Sequence, residues 1–180
     1  INVTSGGAAL TLQAGRSIDI NAKITTNNSN LTLTANDTVA NGVVNLQRSS
    51  GAATINLTGI EINTGSATFT ATISTKSTSG DITLDNVTAG ALVISNNGAT
   101  AGSDILGNVG GVLTITGVTT LAAGSSNDIT LDTSTNNFQG AVVITSGEDV
   151  TLVDANAINL GASTVSGTYV VTATSGNITD

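Results

Sequence analysis

Apolar residues alternate with threonine, asparagine or aspartate in short bursts along the chain: Leu10/Leu12, Ile18/Ile20, Leu31/Leu33, Val44/Leu46, Ile55/Leu57, Ile60/Ile62, Ile82/Leu84, Leu92/Ile94, Leu113/Ile115, Ile129/Leu131, Val142/Ile144, Val150/Leu152 and Ile158/Leu160. A period of two predicts strands with one buried face, because successive side chains leave a strand on opposite sides. Helical spacing is nowhere sustained, and so much Thr, Val, Ile, Asn and Gly works against helices. Strands of about four to six residues, each ended by Gly, Asn, Asp or Ser, leave room only for a sandwiched or coiled sheet.

A longer period separates those two. Segments opening with Asp and a β-branched residue recur at Asp81, Asp104, Asp128 and Asp149, at intervals of 23, 24 and 21, and Asn177-Ile178 extends the series after 28 more. Further clusters, Leu92-Val93-Ile94, Leu113-Thr114-Ile115, Val142-Val143-Ile144 and Val170-Val171, read as the strand that closes each unit. Three strands in about two dozen residues predict a parallel β-helix with rungs of about 21–28 residues, stacked roughly 4.8 Å apart. At that spacing the 180 residues make about 7.5 rungs and a rod of roughly 36 Å. The chain reads as one such segment over 1–180, regular over 81–180 and less regular over 1–80. Residues Ala35 to Gly42 are expected to protrude as a loop, and Ile105-Leu106-Gly107, which breaks the alternation, to form a small bulge.

The composition fits a narrow coil. Thr, Ser, Asn and Gly make up half of the chain, yet 46 residues are Leu, Ile or Val and mean hydropathy is +0.28, which excludes a disordered linker. Only Phe69, Phe138 and Tyr169 are aromatic, as a small lumen requires. Proline, which would delete a ladder hydrogen bond, is absent, and asparagines at equivalent corners could stack as amide ladders. With no His or Cys, imidazole and thiol chemistry and the usual zinc sites are excluded. A net charge of −8 with four basic residues argues against nucleic acid. No apolar run is long enough to span a bilayer. The chain opens at Ile1 and closes on Asn177-Ile178-Thr179-Asp180, the start of another unit, so it is expected to be an excerpt of a longer array.

The stretch from Asp128 to Asp180, DITLDTSTNNFQGAVVITSGEDVTLVDANAINLGASTVSGTYVVTATSGNITD, resembles the β-strand repeats of filamentous haemagglutinin-like proteins, large bacterial exoproteins many of which are exported by two-partner secretion. Gly80 to Gly124 is similar but weaker, as is Leu10 to Thr34. The resemblance implies a right-handed parallel β-helix in a surface-exposed or released rod that serves adhesion, aggregation or biofilm. That family's amino-terminal secretion domain has no counterpart here, and no Arg-Gly-Asp tripeptide occurs.

Each candidate site has a plainer alternative. Asp81, Asp104, Asp128 and Asp149 could stack as a carboxylate column that attracts a hard cation such as calcium, but turn-capping aspartates explain them more simply. The pairs Asp81/Asp85, Asp128/Asp132 and Asp149/Asp154 could serve as acid and base in polysaccharide cleavage. Against that stands the thin supply of partners, Tyr169 with Arg16, Lys23, Arg48 and Lys76. Seven Asn-x-Ser/Thr sequons, at Asn2, Asn27, Asn30, Asn36, Asn56, Asn86 and Asn177, are about what chance supplies in this composition. A threonine face able to order ice-like water would need the column Val93/Ser95, Thr114/Thr116, Val143/Thr145 and Val170/Thr172, where one rung has the full Thr pair.

No catalytic, cofactor-binding or metal-ligating residue is therefore assigned. The expected role is a non-catalytic, rigid, stackable segment of an extracellular or cell-surface bacterial adhesin or filament. Its partners would be further copies or repeats stacked end to end, and host or bacterial surface glycans, with neither nucleic acid nor membrane insertion. The alternative is a polysaccharide-binding or polysaccharide-cleaving β-helix.

Overall fold

A computed structural model describes residues 1–3, 7–38, 48, 52–74, 79–97 and 102–180. The expected Val44/Leu46 strand and residues 39–42 of the expected loop lie outside them, and Ala35, Asn36 and Asp37 do not protrude but are buried at the end of a strand. Twenty strands and no helix are found among the described residues. They form three sheets in which every neighbouring pair runs parallel.

The eight-stranded sheet contains β1 (Leu10–Gln13), β4 (Leu31–Ala35), β7 (Thr68–Ile73), β10 (Ala91–Asn96), β13 (Thr119–Ala122), β16 (Ala141–Ser146), β18 (Ile158–Leu160) and β20 (Ile178–Thr179). The seven-stranded sheet contains β2 (Ile18–Asp19), β5 (Ala53–Asn56), β8 (Ser79–Leu84), β11 (Ile105–Gly107), β14 (Ile129–Leu131), β17 (Val150–Asp154) and β19 (Tyr169–Ala173). The five-stranded sheet contains β3 (Ile24–Thr25), β6 (Glu61–Asn63), β9 (Asn86–Ala89), β12 (Leu113–Ile115) and β15 (Asn137–Phe138). The backbone visits the three sheets in turn, so the chain is an all-β, parallel β-helix, as the alternation and the longer period predict. Five three-sheet turns are followed by turns that visit only two sheets.

Each strand points alternate residues into one lumen. On β4, Leu31, Leu33 and Ala35 are buried while Thr32 and Thr34 face outward. Leu31 lies beneath Phe69, Phe69 beneath Leu92, and Leu92 beneath Thr119, so the core is a column continued from rung to rung. Burying a Leu, Ile or Phe side chain is worth about 1.5–3 kcal/mol, and the column from Ile18 to Ile158 is the main source of stability in a chain without disulfides.

The corner between the five-stranded and eight-stranded sheets is turned by Gly90, Gly117 and Gly140. A Cβ on Gly117 would lie 2.5 Å from the carbonyl oxygen of Gly90, and a Cβ on Gly140 would strike the carbonyl of Gly117. Stacked backbones approach so closely here that only glycine fits.

Four further expectations are corrected. The fifth residue in the aspartate column is Thr168, not Asn177. Ile178 pairs with Ile158 in the eight-stranded sheet, because the coil drops its third strand after β17 and the later count loses phase. The clusters taken as one closing strand belong to different walls: Leu92 and Val142 to the eight-stranded sheet, Leu113 to the five-stranded and Val170 to the seven-stranded. Alternation shows that a face is buried and not which wall it belongs to. No bulge forms at Ile105, which pairs in register with Ile82 and Ile129. Gly107 merely leaves space that the neighbouring Leu131 fills, and the register shifts occur at Leu121/Ala122 and Ala53/Ile55. Among the described residues, corner asparagines bind backbone of adjacent rungs instead of stacking as an amide ladder: Ser66 N–H donates to Asn28 Oδ1 at 2.9 Å, Ser103 N–H to Asn127 Oδ1 at 3.0 Å and Leu113 N–H to Asn136 Oδ1 at 2.9 Å.

Candidate functional site

The recurrent aspartates stand on the seven-stranded sheet, each one residue before the first inward apolar side chain of the matching rung. The register Ile82, Ile105, Ile129, Val150 therefore aligns Asp81, Asp104, Asp128 and Asp149. The backbone N–H of each residue donates to the carboxylate one rung below: Asp104 to Asp81 at 3.0 Å, Asp128 to Asp104 at 2.8 Å, Asp149 to Asp128 at 3.1 Å and Thr168 to Asp149 at 2.6 Å. The column is thus a side-chain ladder laid beside the backbone ladder. Burial raises the Asp104 carboxyl above the ordinary carboxylate value. The Asp128 N–H it accepts lowers it, and the flanking charges of Asp81 and Asp128 raise it again. Among the described residues no three acidic side chains converge as a metal site.

Three further carboxylates are buried, Asp37, Asp85 and Asp154. Asp37 accepts the Gln13 side-chain amide and the Thr38 N–H, each at 2.7 Å. Asp85 is 4 % exposed and joins three turns. Its Oδ2 accepts the Gly59 N–H at 2.7 Å and the Asn108 amide at 2.6 Å, and its Oδ1 accepts the Asn86 amide at 2.7 Å. Asp154 is fully buried, and it stands where the five-stranded sheet stops. Its Oδ2 accepts the N–H of Phe138 on β15 at 2.6 Å, and its Oδ1 accepts the Asn156 N–H, also at 2.6 Å. Ala155 donates to the Asn136 carbonyl at 2.7 Å. The carboxylate and this short turn stand in for the strand that β15 lacks above it. A buried backbone N–H left without an acceptor costs about 1–3 kcal/mol, so Asp154 lets the coil change cross-section without that loss.

The proposed acid–base pairs are not brought together. In Asp81/Asp85 and Asp149/Asp154 the second member is buried and committed to hydrogen bonds within the fold. Asp128 and Asp132 flank β14, and four residues of strand separate them by roughly 13 Å, beyond the spacing of paired glycosidase carboxylates. Lys23 pairs with Glu61 at 2.7 Å on the surface, Arg48 donates to the Asn36 carbonyl at 2.9 Å, and Lys76 lies outside the described residues. Arg16 is exposed near the first corner. Of the sequon asparagines, Asn36 is buried and donates to the Ser74 carbonyl at 3.0 Å, which removes it as a sugar acceptor, while the other six are exposed. The threonine column supposed for ice is divided among the three sheets.

Concavities lie at both ends of the coil. One is lined by Ile1, Asp19, Ile20, Asn21, Ala22 and Ile24, the other by Leu160, Gly161, Ala162, Ser163, Tyr169 and Asp180, and neither gathers a pair of acidic side chains. Sequence reasoning named Asp85 and Asp154 only as acid–base partners, and missed their place as buried corner acceptors and the glycine corner. Gly90, Gly117 and Gly140 recur at 27 and 23 residues, close to the aspartate period, and that recurrence was the available signal.

The model of a family described as repeats of unknown function (DUF5649) matches residues 77–145 and 147–180, more than half of the chain. The two matched segments adjoin at Ser146, the last residue of β16. No curated protein and no solved structure matches the chain.

Proposed function

The chain belongs to the repeats of unknown function (DUF5649), and from that repeat architecture we propose that it is a non-catalytic, rigid segment of an extracellular or cell-surface bacterial adhesin or filament. The observation that carries this reading is the parallel pairing that two sheets keep from the first turn to the last around one buried column. Hydrogen bonds that all run along the rod axis resist extension and leave few open segments for proteases. Resemblance to filamentous haemagglutinin-like repeats supports the adhesive and secreted side of the proposal, and the lack of Cys suits an oxidising exterior.

The end turns support stacking. Leu10 and Leu12 on the first turn, and Tyr169, Val171 and Ala173 on β19, are only partly buried, and Ile178 is 49 % exposed. A further rung, from the same polypeptide or from another copy, would cover them and pair the open strand edges. The same rod would carry glycan contacts on its outer faces.

Electron microscopy of the native material, with mass determination under denaturing conditions, tests this reading. Thin rods built from many rungs are expected. Compact particles that release reducing sugar from polysaccharide, with the activity lost in Asp128→Ala or Asp132→Ala, would overturn it.

A further inference from the structure

The three walls of the coil differ in charge. The seven-stranded sheet carries Asp19 and, within or directly before its strands, the column of Asp81, Asp104, Asp128 and Asp149, whereas the five-stranded sheet carries Glu61 balanced by Lys23 just before β3. None of the eight strands of the remaining sheet contains a charged residue; beside them stand Asp180, after β20, and the buried Asp37, which Gln13 of β1 binds. Its central outward column is Thr11, Thr32, Thr70, Val93, Thr120 and Val143, aligned rung over rung. Threonine and valine are nearly the same shape, so this column forms a flat ridge of methyls and hydroxyls with no long side chain projecting from it.

From this asymmetry we propose that the eight-stranded face is a side-by-side interface between two copies of this chain, related by a two-fold axis. Charge excludes the seven-stranded wall, and of the remaining two the eight-stranded wall is the larger. With a net charge of −8, two copies meeting through the seven-stranded sheet would oppose their carboxylate columns. Meeting through the neutral sheet places those columns on other walls, where salt screens charges more than about 8 Å apart. Shape permits the contact, since two sheets pack face to face about 10 Å apart when their outward side chains are short and regular. Size sets its strength. Eight strands stacked at about 4.8 Å make a face roughly 34 Å tall and about 15 Å wide, or about 500 Å² from each copy. The sum, about 1,000 Å², lies at the lower bound for a specific interface, which predicts a reversible pair and not a permanent dimer. Each copy offers the same patch, so the association closes at two.

The inference is independent of the end-to-end stacking proposed above, and sedimentation velocity across about 1 µM to 1 mM protein separates them. Side-by-side pairing gives a mass that doubles and stops, whereas end-to-end stacking gives an open series. Val93→Lys, at a half-exposed outward position, is expected to keep the protein monomeric throughout that range with an unchanged melting curve. Thr120→Lys is the second probe if Val93→Lys does not fold. Thr130→Lys, outward on the seven-stranded sheet, should pair like the parent. The proposal is overturned by a parent chain that stays monomeric at about 1 mM, or by Thr130→Lys abolishing pairing as fully as Val93→Lys. It also fails if Val93→Lys abolishes retention on a glycan column while sedimenting with the same mass as the parent at every concentration, which would assign the face to sugars.

Discussion

The turns from β7 to β15 and those from β16 onward use the same small alphabet but have different cross-sections. The former have three walls, and the latter have two with Asp154 and its short turn standing in for the third. Losing a wall does not in itself open the core: Val150, Leu152 and Ile158 remain at most 1 % exposed, like Phe69 and Phe138 in the three-walled part. Burial falls off chiefly at the end turns, at Leu10 and Leu12 on the first and at Tyr169, Val171 and Ala173 on the last. Side chains in this coil are therefore covered chiefly by the rung above and the rung below, and the number of walls is secondary. That agrees with a repeat architecture in which stability is the sum of nearest-neighbour interfaces.

The strongest test of this contrast is the same aromatic truncation in both settings. Phe69→Ala empties a site packed between Leu31 and Leu92 and should cost about 3–5 kcal/mol. Tyr169→Ala, on a half-open turn, should cost less than about 1.5 kcal/mol, because its side chain is only partly removed from water. Urea unfolding followed by circular dichroism measures both. Equal losses would mean that the last turn is as well covered as the middle, contrary to the vertical account.

Asp154→Ala tests the wall change directly. It removes the acceptor of the buried Phe138 N–H and of the partly exposed Asn156 N–H and should cost about 1–3 kcal/mol, with the fastest gain in hydrogen exchange at Phe138. Asp154→Asn retains one carbonyl acceptor and should fall between the two. An exchange pattern that loosens the whole rod evenly would show that Asp154 is not the local terminator of the third sheet.

Gly117→Ala comes next. A methyl 2.5 Å from the Gly90 carbonyl must push two rungs apart, at a cost of about 1–3 kcal/mol by overpacking. Gly107→Ala serves as the matched control, since its Cβ would meet Leu131 at an ordinary 3.5 Å and its φ is not positive. It should be neutral or stabilising by up to about 1 kcal/mol. If both substitutions cost alike, the corner glycines are not held by close approach of the backbones.

Most of this architecture could be read directly from the residues. Period-two alternation from Leu10/Leu12 to Ile158/Leu160 names the inward side chains, and the spacing of Asp81, Asp104, Asp128 and Asp149 gives both the parallel stacking and the register of one wall. The assignment of the other bursts to walls was not accessible, because Leu92 and Leu113 carry the same alternation on different sheets. Nor was the loss of the third strand after β17. At that change Asp154 accepts the N–H of Phe138, sixteen residues earlier in the chain, and Ala155 donates to Asn136. In the sequence Asp154 looks the same as the outward aspartates of the column.

The column itself supplies the smallest expected effect. Folding raises the Asp104 carboxyl, chiefly through burial, so the folded chain holds that proton at a pH where the unfolded chain has released it. Stability linked to this group is complete below the ordinary carboxylate value. It declines as pH rises through the raised value of the folded state and is constant above it. Asp104→Asn keeps an oxygen to accept the Asp128 N–H and removes the charge between Asp81 and Asp128. The variant should therefore match the parent in acid and exceed it at neutral pH. The gain should be less than about 0.5 kcal/mol, because solvent screens a partly exposed carboxylate. Salt at about 1 M should shrink the part due to Asp81 and Asp128 and leave the part due to burial. A variant less stable than the parent at neutral pH would mean that the charge of Asp104 strengthens the ladder, and that the column holds together through something the hydrogen bonds alone do not supply.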